Sequence, residues 1–403
     1  MSQLLKALMG VSGAALFNAV AAMLVGVVTA RLLGPAGHGE INFYLTLASS
    51  AALVVNLGSG TALRVLARGN PQPEAASSFV GLSLVMGVAG GAFVPAVVAL
   101  MRPGQVTWGL LLGLGALGVL TVAARQLQEY LQAYGAVLAS VNNVGVGHIA
   151  RLIATALLAL VAVYDVGAAM WALCLGTAAQ AVAAVRVAVQ RGFMVPWGLD
   201  AGSVQLLLAA GMRSMGFGLG LMAMQRASRL MIVPLAGEAS AGLYVAASTL
   251  AESVRMLSMS AGQLLFVRVS GGGENSDTRR FVAAVMAIQV MAGGVLWLLA
   301  PWLVHTLYGE AFRGATSLLR GLIVAEMFMG LALVDSRVLM GRGAVGTVSA
   351  ATVGAAVAAV IGYAVLIPES GAVGAVVAAT VAYAGYAILL RIALSQFKES
   401  HEN

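Results

Sequence analysis

Eight windows of at least twenty residues contain no Asp, Glu, Lys, Arg or His: 7–30, 41–63, 75–101, 103–124, 166–185, 281–304, 343–368 and 370–390. A helix that crosses the hydrocarbon of a bilayer needs about twenty mostly apolar residues. A water-soluble domain has no place for eight such stretches, because a folded chain still exposes much of its area. Four more segments have the right length and apolar character but carry charges: 142–163, 211–235, 241–267 and 315–337. The sequence therefore predicts an all-α, polytopic membrane protein with twelve transmembrane helices. Composition agrees. Of 403 residues, 60% are hydrophobic and 9% charged, against about 25% charged in an ordinary soluble domain. A secreted globule, a soluble enzyme and a disordered regulator are excluded.

Helix breakers fall between the windows, at Gly34-Pro35, Pro71-Gln72-Pro73, Arg102-Pro103-Gly104, Pro196-Trp197-Gly198 and Pro368-Glu369-Ser370-Gly371. The first apolar run has 24 residues, longer than the roughly 7–15 of a signal-peptide core. It reads as an uncleaved first span. Loops are short, and the longest polar stretches are 190–203 and 270–280. The Gly271-Gly272-Gly273 run reads as a flexible linker, since no lysine follows it to make a phosphate loop. The two lysines, Lys6 and Lys398, both lie in the tails. The chain therefore lacks a Walker lysine and is not its own ATPase. No extramembrane catalytic domain fits, so no enzyme activity or catalytic nucleophile is expected. Cys174 is the single cysteine, which excludes an internal disulfide. His38, His148 and His305 lack metal-ligand spacing, and no cofactor is implied.

The formal charge of +7 would suggest nucleic acid in a soluble protein. Here it is a topology signal, and no nucleic-acid partner is expected. With the N-terminus cytoplasmic, the inner side receives Lys6, Arg64, Arg68, Arg125, Arg186, Arg191, Arg268, Arg279, Arg280, Arg337, Arg342, Arg391 and Lys398. The outer side receives Arg31, Arg102 and Arg313. Both termini are thus predicted to be cytoplasmic.

A repeat is visible. Gly34 to Gly39 after the first span and Gly237 to Gly242 after the seventh have the same spacing, and the copies lie 203 positions apart. That is about half the chain, which matches a duplication of six spans. Six is even, so the halves point the same way, as in parallel-repeat transporters. The expected organisation is a six-helix lobe at 1–189, a cytoplasmic linker at 190–203, a second six-helix lobe at 204–394 and a tail at 395–403, with a central cavity between the lobes.

Charges inside spans cost about 2.5–3.5 kcal/mol each on insertion scales. Arg151, Arg226, Arg229, Arg255 and Arg320 lie within spans, as do Glu252 and Glu326. They must face protein or a wet cavity. Arg226 and Arg229 share a helix face, as do Glu252 and Arg255, and Arg226–Glu252 is the expected cross-helix pair. Two acids cannot neutralise five bases. The surplus points to an electropositive cavity that holds an anion, and guanidinium suits phosphate because it stays charged and offers a planar fork. Arg213 and Asp335 lie nearer the span ends, where snorkelling is easy. Asn18, Asn56, Asn142, Asn143 and Gln225 read as interhelical hydrogen bonders, and Gly87/Gly91, Gly109/Gly113 and Gly216/Gly220 as close-approach pairs.

Several segments look like a known family. Ala30-Arg31-Leu32-Leu33-Gly34-Pro35-Ala36-Gly37-His38-Gly39-Glu40 resembles the signature after the first helix of polysaccharide-repeat flippases. These belong to the multidrug/oligosaccharidyl-lipid/polysaccharide (MOP) exporter superfamily. Gly242-Leu243-Tyr244-Val245-Ala246-Ala247 resembles the counterpart after helix seven. Tyr308-Gly309-Glu310-Ala311-Phe312 and Gly341-Arg342-Gly343 resemble the short motifs before and after helix ten. The resemblance implies a bacterial inner-membrane flippase. Its cargo would be a polyprenyl (undecaprenyl) diphosphate-linked oligosaccharide, moved to the outer leaflet by alternating access around a cationic cavity lined largely by helices one, two, seven and eight. A polysaccharide polymerase and a chain-length regulator are the implied partners, besides membrane lipids. Arg226, Arg229 and Arg255 would then hold the diphosphate, with Arg151 and Arg320 as secondary contacts. Glu252 and Glu326 would serve as charge partners or in ion coupling.

Two departures matter. Family members often carry aspartate near the pattern Arg-x-Asp in helix seven, where this chain has Arg226-Ala227-Ser228. Lipid II flippases carry arginines within helix one, where Ala19 to Val25 is uncharged. A multidrug/cation antiporter and a lipid II-type flippase are the competing expectations.

Overall fold

The computed structural model describes residues 2–67, 71–102, 107–161, 164–270 and 275–402, with side chains at 2–9, 213, 214, 257, 264, 267, 268, 270, 275–279 and 397–402 outside the described set. The sequence expectations for Lys6, Arg68, Pro103-Gly104, Arg213, Arg268, the Gly271–Gly273 run, Arg279 and Lys398 lie outside the described residues.

The described chain is helical throughout. The helices are α1 (Ser2–Val55), α2 (Ser59–Ala67), α3 (Pro73–Met101), α4 (Trp108–Ala133), α5 (Val137–Leu160), α6 (Val166–Gln190), α7 (Ala201–Ala236), α8 (Glu238–Ser270), α9 (Asn275–Tyr308), α10 (Ala315–Gly341) and α11 (Val345–Glu402), with a 3-10 turn at Glu310–Phe312. Two of these are pairs of helices joined at a glycine. Gly34 (φ 67°, ψ −176°) divides α1, and Gly371 (φ 57°, ψ −134°) divides α11. Such left-handed values cost a residue with a Cβ and suit glycine. Counting each arm, and joining α2 to the second arm of α1, reproduces the expected twelve helices.

Eight described helices are long and apolar enough to cross a bilayer, and the bent α7, with arms Ala201–Met212 and Met215–Ala236, adds a ninth. The kinked α1 and α11 supply 46 and 52 residues to that set, enough for two crossings each at about 1.5 Å per residue. α8 carries Glu238, Glu252 and Arg255 and falls outside it. Val88, Leu112, Leu157, Leu298 and Val381 are all exposed. A surface so rich in large apolar side chains requires a non-aqueous solvent, and a helix satisfies its backbone polar groups without water. The chain is a multi-pass membrane protein.

The chain forms two compact units. Unit 1 comprises Met1–Leu33 and Phe43–Met215, and unit 2 comprises Gly34–Asn42 and Gly216–Asn403. In unit 1, α4 packs on α3 and α6, and α5 on α6. Gly90 and Gly91 of α3 meet Gly118 and Gly115 of α4 so closely that a Cβ on Gly118 would fall on the Gly90 carbonyl. In unit 2, α10 is the central helix, flanked by α8, α9 and α11. Most of its residues are buried, Glu326 and Asp335 among them. Of the glycine pairs expected from sequence, Gly91, Gly113 and Gly220 do approach a neighbouring helix, whereas Gly87, Gly109 and Gly216 have no neighbour within 4 Å.

The 41–63 window is not one unbroken helix. It stops at Leu57 (φ 47°) and Gly58 (φ 72°) and restarts at Ser59. Asn56 is the local cause. Its carboxamide oxygen accepts from Ser59 Oγ at 2.6 Å and from the Gly60 amide at 3.4 Å. It therefore acts as a cap, not as the interhelical bonder expected from sequence. Asn18 does bond across helices, donating to the Val141 carbonyl at 2.8 Å.

The stretch after α6 is docked rather than loose. Ser77 Oγ donates to the Pro196 carbonyl at 2.8 Å, and the Gly198 amide donates to the Ser77 carbonyl at 3.2 Å. Tyr134 stacks on Phe193 at 4.5 Å between centroids. These contacts tie 193–198 to the start of α3 and the end of α4.

Candidate functional site

Three helices of unit 2 bring intramembrane charges together. α7 carries Arg226 and Arg229, α8 carries Glu252 and Arg255, and α10 carries Glu326. The i,i+3 spacing within α7 and within α8 puts each pair on one face. The charges alternate along a chain, Arg229–Glu252–Arg255–Glu326. Arg229 Nη2 donates to Glu252 Oε1 and, at 3.0 Å, to Ser248 Oγ. Arg255 Nη2 lies 3.7 Å from Glu252 Oε2. Arg255 Nη1 donates to both oxygens of Glu326, at 3.0 and 2.8 Å.

Exposure grades along this chain. The Arg255 and Glu326 side chains are 9% and 6% exposed, whereas Glu252 is 34% exposed. The buried end is held from behind. Gln289 of α9 donates to the Glu326 backbone carbonyl at 3.0 Å and accepts from Ser258 Oγ. Gly330 gives Gln289 its room, since a Cβ there would fall on the carboxamide. Hydroxyls line the same region. Ser228 bonds Tyr244 at 3.0 Å, and Tyr363 and Tyr383 both donate to the Met224 carbonyl, at 2.9 and 3.3 Å. Breaking a buried ion pair strands a charge; no Arg255 or Glu326 side-chain atom is among the described buried atoms without a partner, whereas Arg229 Nε is.

From α7, Arg229 reaches Glu252; Arg226 lies one turn earlier and is exposed. Arg320 and Arg151 each border a pocket. Arg320 lies five residues into α10, about 8 Å from its start. Its guanidinium stacks over Trp297 at 4.4 Å, and Nε donates to the Trp297 carbonyl at 3.3 Å. It borders a pocket of about 380 Å³ with His305, Glu310 and Arg313, at a helix end rather than at mid-span. Arg151 belongs to unit 1 and borders a cavity there with Arg125 and His148. Asp335, fully buried near the other end of α10, forms an ion pair with Arg391, whose Nε lies 3.0 Å from Oδ2. That pair was not anticipated, although Arg391 is the first charge after the last apolar window.

A second turn repeat also escaped the sequence reading. Gly135 and Gly343 both have left-handed φ, of 77° and 88°. The Ala136 amide donates to Leu131 O at 2.8 Å, as Ala344 does to Leu339 O at 3.0 Å. Both are the same helix-ending motif. Its signal was the shared Gly-Ala-Val of 135–137 and 343–345.

No protein-family model matches the chain, and no curated protein sequence matches it. Solved structures do. An inward-facing multidrug-resistance MATE family transporter of the MOP superfamily matches with a TM-score of 0.72 at 16% identity, over 95% of this chain and 96% of that one. The lipid II flippase MurJ, in an inward closed conformation, matches with a TM-score of 0.72 at 12% identity, over 96% and 87%. A MOP-superfamily transporter from Pyrococcus furiosus, described as having a binding pocket of reversed polarity, matches with a TM-score of 0.55 at 17% identity, over 98% and 96%. The fold is that of MOP-superfamily transporters.

Proposed function

We propose that this chain is a flippase for a polyprenyl diphosphate-linked oligosaccharide, working from the cytoplasmic to the outer leaflet by alternating access of its two repeats. One observation carries the reading. Both carboxylates of the α8–α10 charge cluster, the half-buried Glu252 and the buried Glu326, are already held by guanidinium groups. A cation antiporter needs a carboxylate that its cargo can reach. Here the reachable groups of the cluster are cationic or are shared between two arginines, and the chemistry favours an anionic cargo.

The mechanism is an exchange of partners. Glu252, the more exposed acid, holds Arg229 when cargo is absent. A diphosphate engaging Arg226 and Arg229 displaces it, and Arg255 keeps Glu326 throughout. A fork of guanidinium donors matches phosphoryl oxygens in pairs. The reaction makes and breaks no covalent bond. An inside-negative potential favours outward movement of the headgroup, by about 2.3 kcal/mol per charge per 100 mV if it crosses the whole field. Arg320, at a helix end, and Arg151, in unit 1, are not assigned to this contact. A polysaccharide polymerase and a chain-length regulator are the expected downstream partners, with both termini of this chain in the cytoplasm.

The test is complementation in a strain lacking its native flippase. Arg226→Ala and Arg229→Ala should each reduce surface glycan, and the double variant should abolish it, at normal protein levels. Full restoration by the double variant removes these residues from the mechanism.

A further inference from the structure

Unit 1 contains a cationic pocket of its own. It is a cavity of about 210 Å³ bordered by α1, α4, α5 and α6, and its polar lining includes Arg125, Gln128, His148, Arg151, Thr177 and Gln180. Among the described residues no carboxylate lines it. Among the described residues Arg151 makes no hydrogen bond and no ion pair, and its Nε is buried without a partner. Arg125 Nε is likewise buried and unpartnered. The carboxylate near Arg125 is Glu129, 3.9 Å away, and Arg64 holds that acid at 2.9 Å. Arg64 and Arg125 thus share one glutamate.

The pocket is built by helix packing rather than by loops. A Cβ on Gly176 would lie 2.7 Å from the Gly147 carbonyl and 2.7 Å from Arg151 Cβ. A Cβ on Gly147 would lie 3.0 Å from the Gly176 carbonyl and from Gln180 Cβ. The α5 and α6 backbones therefore touch, and each presents a polar side chain one turn beyond its glycine. Sites held on rigid elements are better positioned than sites on loops. An intramembrane arginine with no internal partner is costly, and a bound anion would offset that cost.

We infer that this pocket binds a compact oxyanion of the phosphate or diphosphate class. Two guanidiniums border it, carboxamides and hydroxyls supply further donors, and no acid opposes the ligand. A free inorganic anion and the diphosphate end of a lipid share this chemistry. The inference stands on the charges of unit 1 alone and does not require the flippase reading.

The experiment uses full-length protein in lipid nanodiscs and calorimetric titration, with inorganic pyrophosphate and farnesyl diphosphate as separate probes. The starting background is Arg226→Gln/Arg229→Gln, which removes the proposed cargo contacts of unit 2. At least one probe should still bind there, and adding Arg151→Gln should weaken it by about tenfold or more, the scale of one charge-assisted hydrogen bond. Binding of pyrophosphate identifies a free-anion site, and binding of farnesyl diphosphate alone identifies a lipid-borne one. Loss of both probes in the starting background overturns the inference, as does unchanged binding after Arg151→Gln. Thermal unfolding without ligand is the second measurement. Arg151→Gln should unfold no lower than wild type, because it removes an unpaired buried cation. A clear drop marks a structural arginine and overturns the site. Failed glycan complementation by the wild-type protein with intact Arg151-dependent binding would sink the flippase reading and leave this site standing.

Discussion

Gly39 and Gly242 press on each other's backbone in the same way. A Cβ on Gly39 would fall on the Glu238 carbonyl oxygen and 2.7 Å from the Gly242 nitrogen. A Cβ on Gly242 would fall on the Pro35 carbonyl oxygen and 3.1 Å from the Gly39 nitrogen. Pro35 and Glu238 are 203 positions apart, as are Gly39 and Gly242. The contact is its own image under the repeat, the self-complementary arrangement of a two-fold interface. The leading glycines agree, since Gly34 and Gly237 both have left-handed φ, of 67° and 85°.

That contact predicts a sharp contrast among glycines. Gly39→Ala and Gly242→Ala should each destabilise the protein by about 1–3 kcal/mol, the usual cost of overpacking. The double variant should cost less than the two added together, because one substitution already opens the shared contact. Gly26, with nothing within 4 Å, should accept alanine with no loss. Thermal unfolding in detergent, followed by tryptophan fluorescence, measures all four proteins. Equal behaviour of Gly26→Ala and Gly39→Ala would contradict the close approach.

A second prediction concerns the segment after α6. A Cβ on Gly81 would fall on the Gly198 carbonyl, so Gly81→Val should lift 193–198 off α3. Arg191 is exposed at the end of α6. Trypsin should then cut there faster in the variant than in wild type, with the helices otherwise intact. An unchanged cleavage rate would show that the segment is held elsewhere.

Asp200 gives a pH-dependent prediction. It caps α7, and Ser203 N–H donates to its carboxylate at 2.7 Å. That bond holds the carboxyl below the usual carboxylate range. A depressed value in the folded state adds stability above the unfolded value, and that stability is lost as pH falls through the folded value. Asp200→Asn keeps a cap but does not titrate there. The variant should show a smaller acid-side fall in melting temperature than wild type, and the effect should be small because the group is exposed. Parallel melting curves from neutral pH to pH 3 would reveal it, and superimposable slopes would rule it out.

Much of the fold was legible because a bilayer imposes a length and a composition on every crossing. The 75–101 window became α3 (Pro73–Met101), and 166–185 lies within α6 (Val166–Gln190). The 203-residue repeat was legible because backbone contact restricts both copies to glycine. The break at Leu57-Gly58 was not, since no proline or charge interrupts that window. Asn56-Leu57-Gly58-Ser59 was the available signal, with the capping amide ahead of the serine. Partner choice inside the membrane was also hidden. Arg226 and Arg229 share a face, and spacing alone does not say that Arg229 reaches Glu252. Arg320 falls five residues into the 315–337 segment, so its place near a helix end was legible, whereas its stacking on Trp297 was not.

The graded exposure of the charge chain leads to the last prediction. Glu326 is 6% exposed and takes both contacts of Arg255 Nη1, whereas Glu252 is 34% exposed and lies between two arginines. Glu326→Gln leaves Arg255 buried with one carboxylate at 3.7 Å. Removing one partner of a buried pair costs about 3–5 kcal/mol. Glu252→Gln should cost less, closer to the roughly 0–1 kcal/mol of a solvent-screened pair. Replacing both members, Arg255→Met with Glu326→Met, should recover most of the loss, since two apolar side chains of similar volume leave no stranded charge. Unfolding of the three variants and wild type in one detergent gives the order directly. If Glu252→Gln proves the more damaging single change, the buried end of the chain is not the structural end, and Glu326 rather than Glu252 becomes the candidate for exchange with an anionic cargo.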